Sequence, residues 1–442
     1  MVFNSLLFIV FFSVVSILYW IIPGKLRWIL LLAASFIFYG VYVPAYTVVL
    51  VLSVLTNYGF GIWIGKAAQD KTRRNRLIWG IILNIGMLGI FKYANEINSG
   101  FDINLQKLIM PLGISFFTFT NLSYLIEVKR RKWEPERHLG YFTVYVTFFP
   151  KLIQGPIERP QTFMPQVKEP RVFDYDRAVS GLRLILWGFF KKLVIADRLA
   201  LAVNPVYDNP QHYTGPAIVI ATIFYSIQIY ADFSGYIDIA RGCGKLLGFE
   251  ILKNFNIPYA AKSIKEFWTR WHITLSTWLR AYIFLPVAYS LSRKLRKDRY
   301  LGMRTDHIIY SIAITTTFIL CGLWHGVGWT FLAWGVLYAI YLVVGHLTEK
   351  PKKRVYKRIG LLRIKWLYNS LQILTTFTLV TIAWSLFRAN SLRATFTIFH
   401  QIILGWHDLN SISGMISMMI TPSFSIWEFV VAAGVIPAMF LT

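Results

Sequence analysis

The sequence predicts an all-α, polytopic membrane protein, on three observations. Hydrophobic residues make up 56% of its 442 residues and charged residues only 15%, against about a quarter in ordinary soluble domains. The mean hydropathy is +0.51. Apolar runs close to the ~20 residues needed to cross hydrocarbon recur along the chain, with clusters of Lys and Arg between them. The formal net charge of +25 is gathered in four such clusters. These are Lys71-Thr72-Arg73-Arg74-Asn75-Arg76, Lys129-Arg130-Arg131-Lys132, Arg293-Lys294-Leu295-Arg296-Lys297-Asp298-Arg299 and Lys350-Pro351-Lys352-Lys353-Arg354-Val355-Tyr356-Lys357-Arg358. Basic charge divided among loops reads as cytoplasmic loops facing anionic membrane lipid. It excludes a nucleic-acid binder, which gathers its cations on one soluble face. Two cysteines, Cys243 and Cys321, supply neither a disulfide framework nor a metal site.

The expected spans are 3–22, 28–43, 46–65, 77–93, 108–127, 308–322, 327–347, 366–387 and 425–441. The run from Leu6 to Ile22 has no basic n-region and no small-residue cleavage site, so it reads as a retained span and not a signal peptide. With the N-terminus outside, Lys25 and Arg27, then 71–76, then 129–132 all fall on the cytoplasmic side, while loop 94–107 is poor in Lys and Arg. Residues 133–305 are different. They mix charged apolar pieces with Pro and Gly breaks, such as Phe148-Phe149-Pro150-Lys151-Leu152-Ile153-Gln154-Gly155-Pro156 and Trp187-Gly188-Phe189-Phe190-Lys191-Lys192-Leu193. Irregular backbone at membrane depth is tolerated only where protein buries it or where it lines a wet cavity, so a central cavity is expected here. We read 1–442 as one transmembrane domain, with N-terminal spans over 1–132, an irregular or re-entrant centre over 133–305 and C-terminal spans over 306–442. No internal repeat is visible, which argues against a secondary transporter.

Gly322-Leu323-Trp324-His325-Gly326 interrupts the apolar stretch that runs from Ile308 to Val344. An ionisable side chain there is expensive and marks a functional site by default. Imidazole is also suited to taking a proton from a hydroxyl near neutral pH. Position alone equally allows a structural histidine bonded between helices. Upstream, Ser263-Ile264-Lys265-Glu266-Phe267-Trp268-Thr269-Arg270-Trp271-His272-Ile273-Thr274-Leu275-Ser276-Thr277-Trp278-Leu279-Arg280 carries a second histidine, His272. With helical spacing, Phe267, Trp271 and Trp278 pack inward. Lys265, Arg270 and Arg280 suit the phosphates of a donor such as coenzyme A, or serve as interface anchors. His272, with charged neighbours, is expected near water. Asp232 and Asp238 lie in an otherwise apolar, aromatic segment and are expected to be paired.

These residues resemble the membrane-bound O-acyltransferases, and within them the branch that acetylates alginate. The resemblance runs through Met110-Pro111-Leu112-Gly113-Ile114-Ser115-Phe116-Phe117-Thr118-Phe119, Phe148–Ile157, Gln228–Tyr236, Phe267–Arg280 and Gly322–Gly326, in that order. It implies a ring of tilted and broken helices around a central tunnel, a catalytic histidine at His325 and a second characteristic histidine at His272. In one place the sequence departs from the pattern. Where the family usually has Asp-Tyr after Trp278-Leu279-Arg280, and later a Gly-Gly turn, this chain has Ala281-Tyr282 and then Ile283-Phe284-Leu285-Pro286-Val287-Ala288-Tyr289.

The resemblance implies an O-acetyltransferase of the bacterial inner membrane with no permanently bound cofactor. Acetyl-CoA would be the cytoplasmic donor and His325 the general base. The acceptor would be a cell-envelope glycan, or a serine of an extracytoplasmic partner protein that relays the acetyl group. Two alternatives remain at this stage: a D-alanyl transfer protein of the teichoic-acid type, fed by a carrier-protein thioester, and a non-catalytic channel or flippase.

Overall fold

Long apolar stretches without interior prolines form helices, because a backbone in lipid must satisfy its own hydrogen bonds. The computed structural model describes residues 1, 3–41, 44–101, 110–300, 302–406 and 434. Six helices among them are long and apolar enough to cross a membrane: Pro44–Gly65, Asp70–Ala94 (the apolar part of a helix that continues to Phe101), Gly215–Leu246, Thr305–His325, Trp329–Arg358 and Lys365–Arg388. Strand pairing among the described residues is confined to Arg299–Tyr300 against Met303–Arg304. Expected spans 46–65, 77–93, 308–322 and 366–387 fall on these helices, and 327–347 does so from Trp329 onward. Spans 3–22, 28–43 and 108–127 form the shorter helices Leu6–Ile21, Arg27–Gly40 and Ile114–Lys129. The span expected at 425–441 lies outside the described residues.

The sequence reading placed no clean span between 133 and 305, and Gly215–Leu246 corrects it. Asp232, Asp238, Arg241 and several glycines lower the apparent hydropathy of this segment, but the fold neutralises the charges. Lys192 Nζ binds Asp232 at 2.6 Å and Asp197 at 2.9 Å, and Arg241 lies 3.7 Å from Asp238 one turn away. The expectation that both aspartates are paired is met.

The chain divides into two compact units, Met1–Phe190 with Gly235–Lys253, and Lys191–Ser234 with Asn254–Thr442. In the first, buried amides tie helices together. Asn57 and Asn84 exchange hydrogen bonds of 3.2 and 2.7 Å, and Asn121 donates to Ser53 Oγ at 2.9 Å. Such polar links suit helices that lack a hydrophobic drive to associate in lipid. Gly181 and Gly188 of the Tyr175–Phe189 helix face Gly242 and Gly235, so closely that a Cβ on Gly188 would come within 2.6 Å of the Gly235 carbonyl. Apart from the exposed Gln154, the irregular Phe148–Pro156 segment is buried in protein. Its Lys151 donates to the Tyr145 carbonyl at 2.7 Å, with its ammonium over the Tyr145 and Phe163 rings.

The second unit is built on a helical hairpin of Thr305–His325 and Trp329–Arg358. Its two helices approach through glycine: a Cβ on Gly322 would lie 2.4 Å from the Phe331 carbonyl, and one on Gly335 the same distance from Phe318. At the hairpin's open end His307 Nδ1 and His346 Nε2 are 2.9 Å apart. The Lys365–Arg388 helix packs Trp384 against Trp271 and Trp334. Ser226 donates to Thr381 at 3.0 Å.

Candidate active site

The Thr305–His325 helix stops at His325 because Gly326 turns to extended backbone, and Gly328, also extended, caps the next helix, which starts at Trp329. The motif's glycines are packing requirements. Gly322 admits the neighbouring helix backbone, and a Cβ on Gly326 would lie 2.1 Å from the Phe331 ring. This places His325 at the closed end of the hairpin. The basic residues 350–358 and Arg304 lie at the open end, about 30 Å away along the axis at 1.5 Å per residue. The His325 ring is half-buried among aromatic rings, with Trp324 at 4.7 Å, Trp334 at 5.1 Å and Phe387 at 5.1 Å, the last two edge-on.

His272 comes to the same place by a different route. The sequence reading ran one helical face through 263–280, but the structure breaks it into Ile264–Arg270 and Ile273–Leu279, with His272 between them at φ +43°. Left-handed backbone is uncommon for residues other than glycine, and such residues cluster at functional sites. Residues 254–256 hold the break: Asn256 N–H donates to the Arg270 carbonyl at 2.9 Å and Ile273 N–H to the Asn254 carbonyl at 3.0 Å. His272 is only 2% exposed. This reverses the expectation that it sits near water, because the strained turn points its ring inward although the flanking sequence is charged. Phe233 meets the ring edge-on at 4.9 Å and Trp324 lies 6.4 Å away. His272 lies outside the six membrane-length helices. Burial, and after it the neighbouring His325 imidazole, holds its basicity well below the usual histidine range.

The two histidines are thus brought together, whereas the three candidate donor cations differ in their partners. Arg270 is engaged by Glu266, with Nη2 at 2.8 Å and Nε at 3.0 Å, and donates to the Asn256 carbonyl at 3.3 Å. Glu266 also accepts from Lys262 N–H at 2.9 Å. Lys265 is exposed and within electrostatic reach of His346 and Glu349, at the open end of the hairpin. Arg280 is exposed in the π-helical turn Arg280–Phe284, and no carboxylate pairs with it among the described residues. Phe267, Trp271 and Trp278 are buried as expected. No group of three or more His, Cys, Asp or Glu among the described residues is arranged to hold a metal ion.

Sequence reasoning missed Asn254 and Phe233. Phe233 lay inside a quoted motif but carried no chemical signal. Asn254 stands in Asn254-Phe255-Asn256 between two motifs, where a lone amide reads as loop.

A family profile for the membrane-bound O-acyltransferases matches residues 117–387. The chain is 33% identical to a probable alginate O-acetylase of Pseudomonas aeruginosa over 91% of its own length and 75% of that protein. It is 32% identical to a peptidoglycan O-acetyltransferase of Helicobacter pylori over 93% of its length and 81% of that protein. A teichoic acid D-alanyltransferase of Bacillus subtilis is 27% identical over 64% of the chain and 69% of that protein. The chain belongs to the membrane-bound O-acyltransferase family and is a multi-pass membrane acyltransferase.

Proposed function

We propose that the chain moves an acetyl group from a cytoplasmic thioester, acetyl-CoA, to a hydroxyl of a cell-envelope polysaccharide, or to a serine of an extracytoplasmic partner protein that relays it. The observation that carries the reading is the pair of imidazoles in one cluster of aromatic rings, His325 half-buried and His272 buried and held neutral. His325 takes the proton of the acceptor hydroxyl as its oxygen attacks the thioester carbonyl carbon. The C–S bond then breaks, and the departing thiolate recovers the proton from the imidazolium. General base catalysis of this kind contributes about 10²–10⁴-fold. The aromatic walls exclude water that would otherwise hydrolyse the thioester.

The acceptor class rests on the names of the relatives, one an alginate O-acetylase and another a peptidoglycan O-acetyltransferase. D-alanyl transfer from a carrier-protein thioester is the second reading, favoured by the likeness to teichoic acid D-alanyltransferases over a smaller share of the chain. For the donor, the exposed Lys265 and Arg280 are the cations that would meet phosphates, while Arg270 is held by Glu266. The positive-inside pattern supports a cytoplasmic-membrane location with the N-terminus outside. The open, basic end of the hairpin then faces the donor, and His325 lies towards the acceptor side.

Glycan acetylation in cells carrying His325→Ala, together with acetyl-CoA binding by the detergent-solubilised variant, tests the reading. The expected result is lost acetylation with donor binding kept. Acetylation near the wild-type level would remove His325 from the chemistry. An impermeant thiol reagent should fail to label cysteines placed in 71–76, 129–132 or 350–358 in intact cells, and labelling of any one would reverse the orientation.

A further inference from the structure

Asn254 is fully buried, and its Oδ1 serves several donors. It accepts from the Thr274 backbone N–H at 2.9 Å and from the Thr274 hydroxyl at 2.9 Å, and it lies 3.3 Å from His272 Nδ1. A backbone N–H can only donate, so the Asn254 atom facing Thr274 must be the amide oxygen, and the orientation of the amide follows from the bonding itself. An amide oxygen can only accept. The proton between it and His272 therefore sits on Nδ1, and a neutral His272 carries its lone pair on Nε2. The backbone of the same residue supplies a second pin through the 3.0 Å bond from Ile273 N–H to the Asn254 carbonyl. Held on both sides, His272 keeps a left-handed conformation that costs about 1–3 kcal/mol.

We infer that Asn254 is a positioning residue that fixes His272 as the Nδ1–H tautomer, so that a neutral His272 presents a lone pair and not an N–H at Nε2 beside the base His325. The inference rests on the acetyl-transfer reading for its role in the reaction. The tautomer itself follows from the hydrogen bonds. An orienting partner on the far ring nitrogen is a general means of setting which nitrogen of a histidine does the work. The titratable group set against His272 is His325, from the Thr305–His325 helix, while Asn254, Phe233 and Trp324 surround the ring with uncharged groups.

The test uses the full chain in lipid nanodiscs. In ¹⁵N-histidine spectra the His272 signal, assigned by its loss in His272→Gln, should show a protonated Nδ1 and a bare Nε2. Asn254→Leu should mix the tautomers and lower kcat about 10- to 100-fold, with the donor KM within about twofold. Asn254→Asp keeps the acceptor and adds a charge. It should restore most of kcat and move the acid limb of the pH–rate profile up by about one unit or more, because a carboxylate favours the imidazolium. An amide that merely supports the fold would lower the folded yield in both variants and leave the limb where it is. A wild-type His272 protonated on Nε2, or an unmoved limb in Asn254→Asp, would overturn the inference. If instead His325→Ala retains full transfer, the acetyl-transfer reading fails while the tautomer result stands, so the two failures are distinct.

Discussion

Two buried ionisable centres, one in each compact unit, are built on opposite plans. In the first unit the buried Lys151 donates a hydrogen bond to the Tyr145 carbonyl and lies against two aromatic faces. Nearby, the buried Glu158 accepts from Leu252 N–H at 2.8 Å and from the Thr162 hydroxyl at 2.7 Å. Backbone and side-chain groups of the fold bond both. In the second unit His272 and His325 stand among rings, one nitrogen of His272 is anchored to an amide, and His325 remains half-buried at a helix end. The difference teaches that burial of a charge-capable group does not by itself mark chemistry. The Lys151 centre is bonded into a broken stretch of backbone, whereas the histidine centre sets a buried imidazole beside one that stays partly exposed.

The largest expected effect separates the two centres. His325→Ala should lower the acyl-transfer rate about 10²–10⁴-fold with the melting temperature of the solubilised protein nearly unchanged. Lys151→Ala should do the reverse. It leaves Glu158 buried without its nearby positive charge and opens a cavity, costing on the order of 3 kcal/mol, with activity falling only as the folded fraction falls. Transfer assays and melts on both variants check this, and a Lys151→Ala protein that is fully stable but inactive would erase the contrast.

A pH dependence of similar size is expected from the Lys151 centre. Burial, opposed by Glu158, brings its ammonium from 10.5 down to about 8. Between those values the unfolded chain binds the proton and the folded chain does not, so stability rises as pH climbs from about 8 to about 10.5 and is lost as pH falls through 8. The full swing is about 3 kcal/mol. Melting curves of the wild type should therefore gain on those of Lys151→Met over this range, and parallel curves would contradict the assignment.

His272→Gln should cost less than His325→Ala, about 10- to 100-fold in kcat, since the residue acts beside the base and not in its place. Kinetics of the two single variants under identical conditions rank them, and an equal loss in both would make the histidines a single functional unit. The smallest effects are expected at the arginines. Arg280→Gln should raise the donor KM about two- to fivefold and leave the melting temperature alone. Arg270→Gln should lower stability by up to about 1 kcal/mol through loss of its half-exposed bridge to Glu266. Donor titrations and melts on the pair decide whether the exposed cation or the bridged one meets the phosphates.

The sequence by itself determined the membrane class, most of the apolar helices, the pairing of Asp232 and Asp238, and the interest of His325. Each depends on local composition or on a side chain's solitary position in an apolar run, which the linear order already displays. Only the tertiary structure decided that His272 is buried beside His325, that Arg270 belongs to Glu266, and that Asn254 orients an imidazole. It also decided that Gly215–Leu246 is one long helix, since a hydropathy window counts Asp232 as a penalty while the fold gives it Lys192. The physical reason is common to all four. Partners set the cost of a polar group in an apolar medium, and here they come from chain segments far apart in sequence or from a backbone turn with left-handed φ that composition does not reveal.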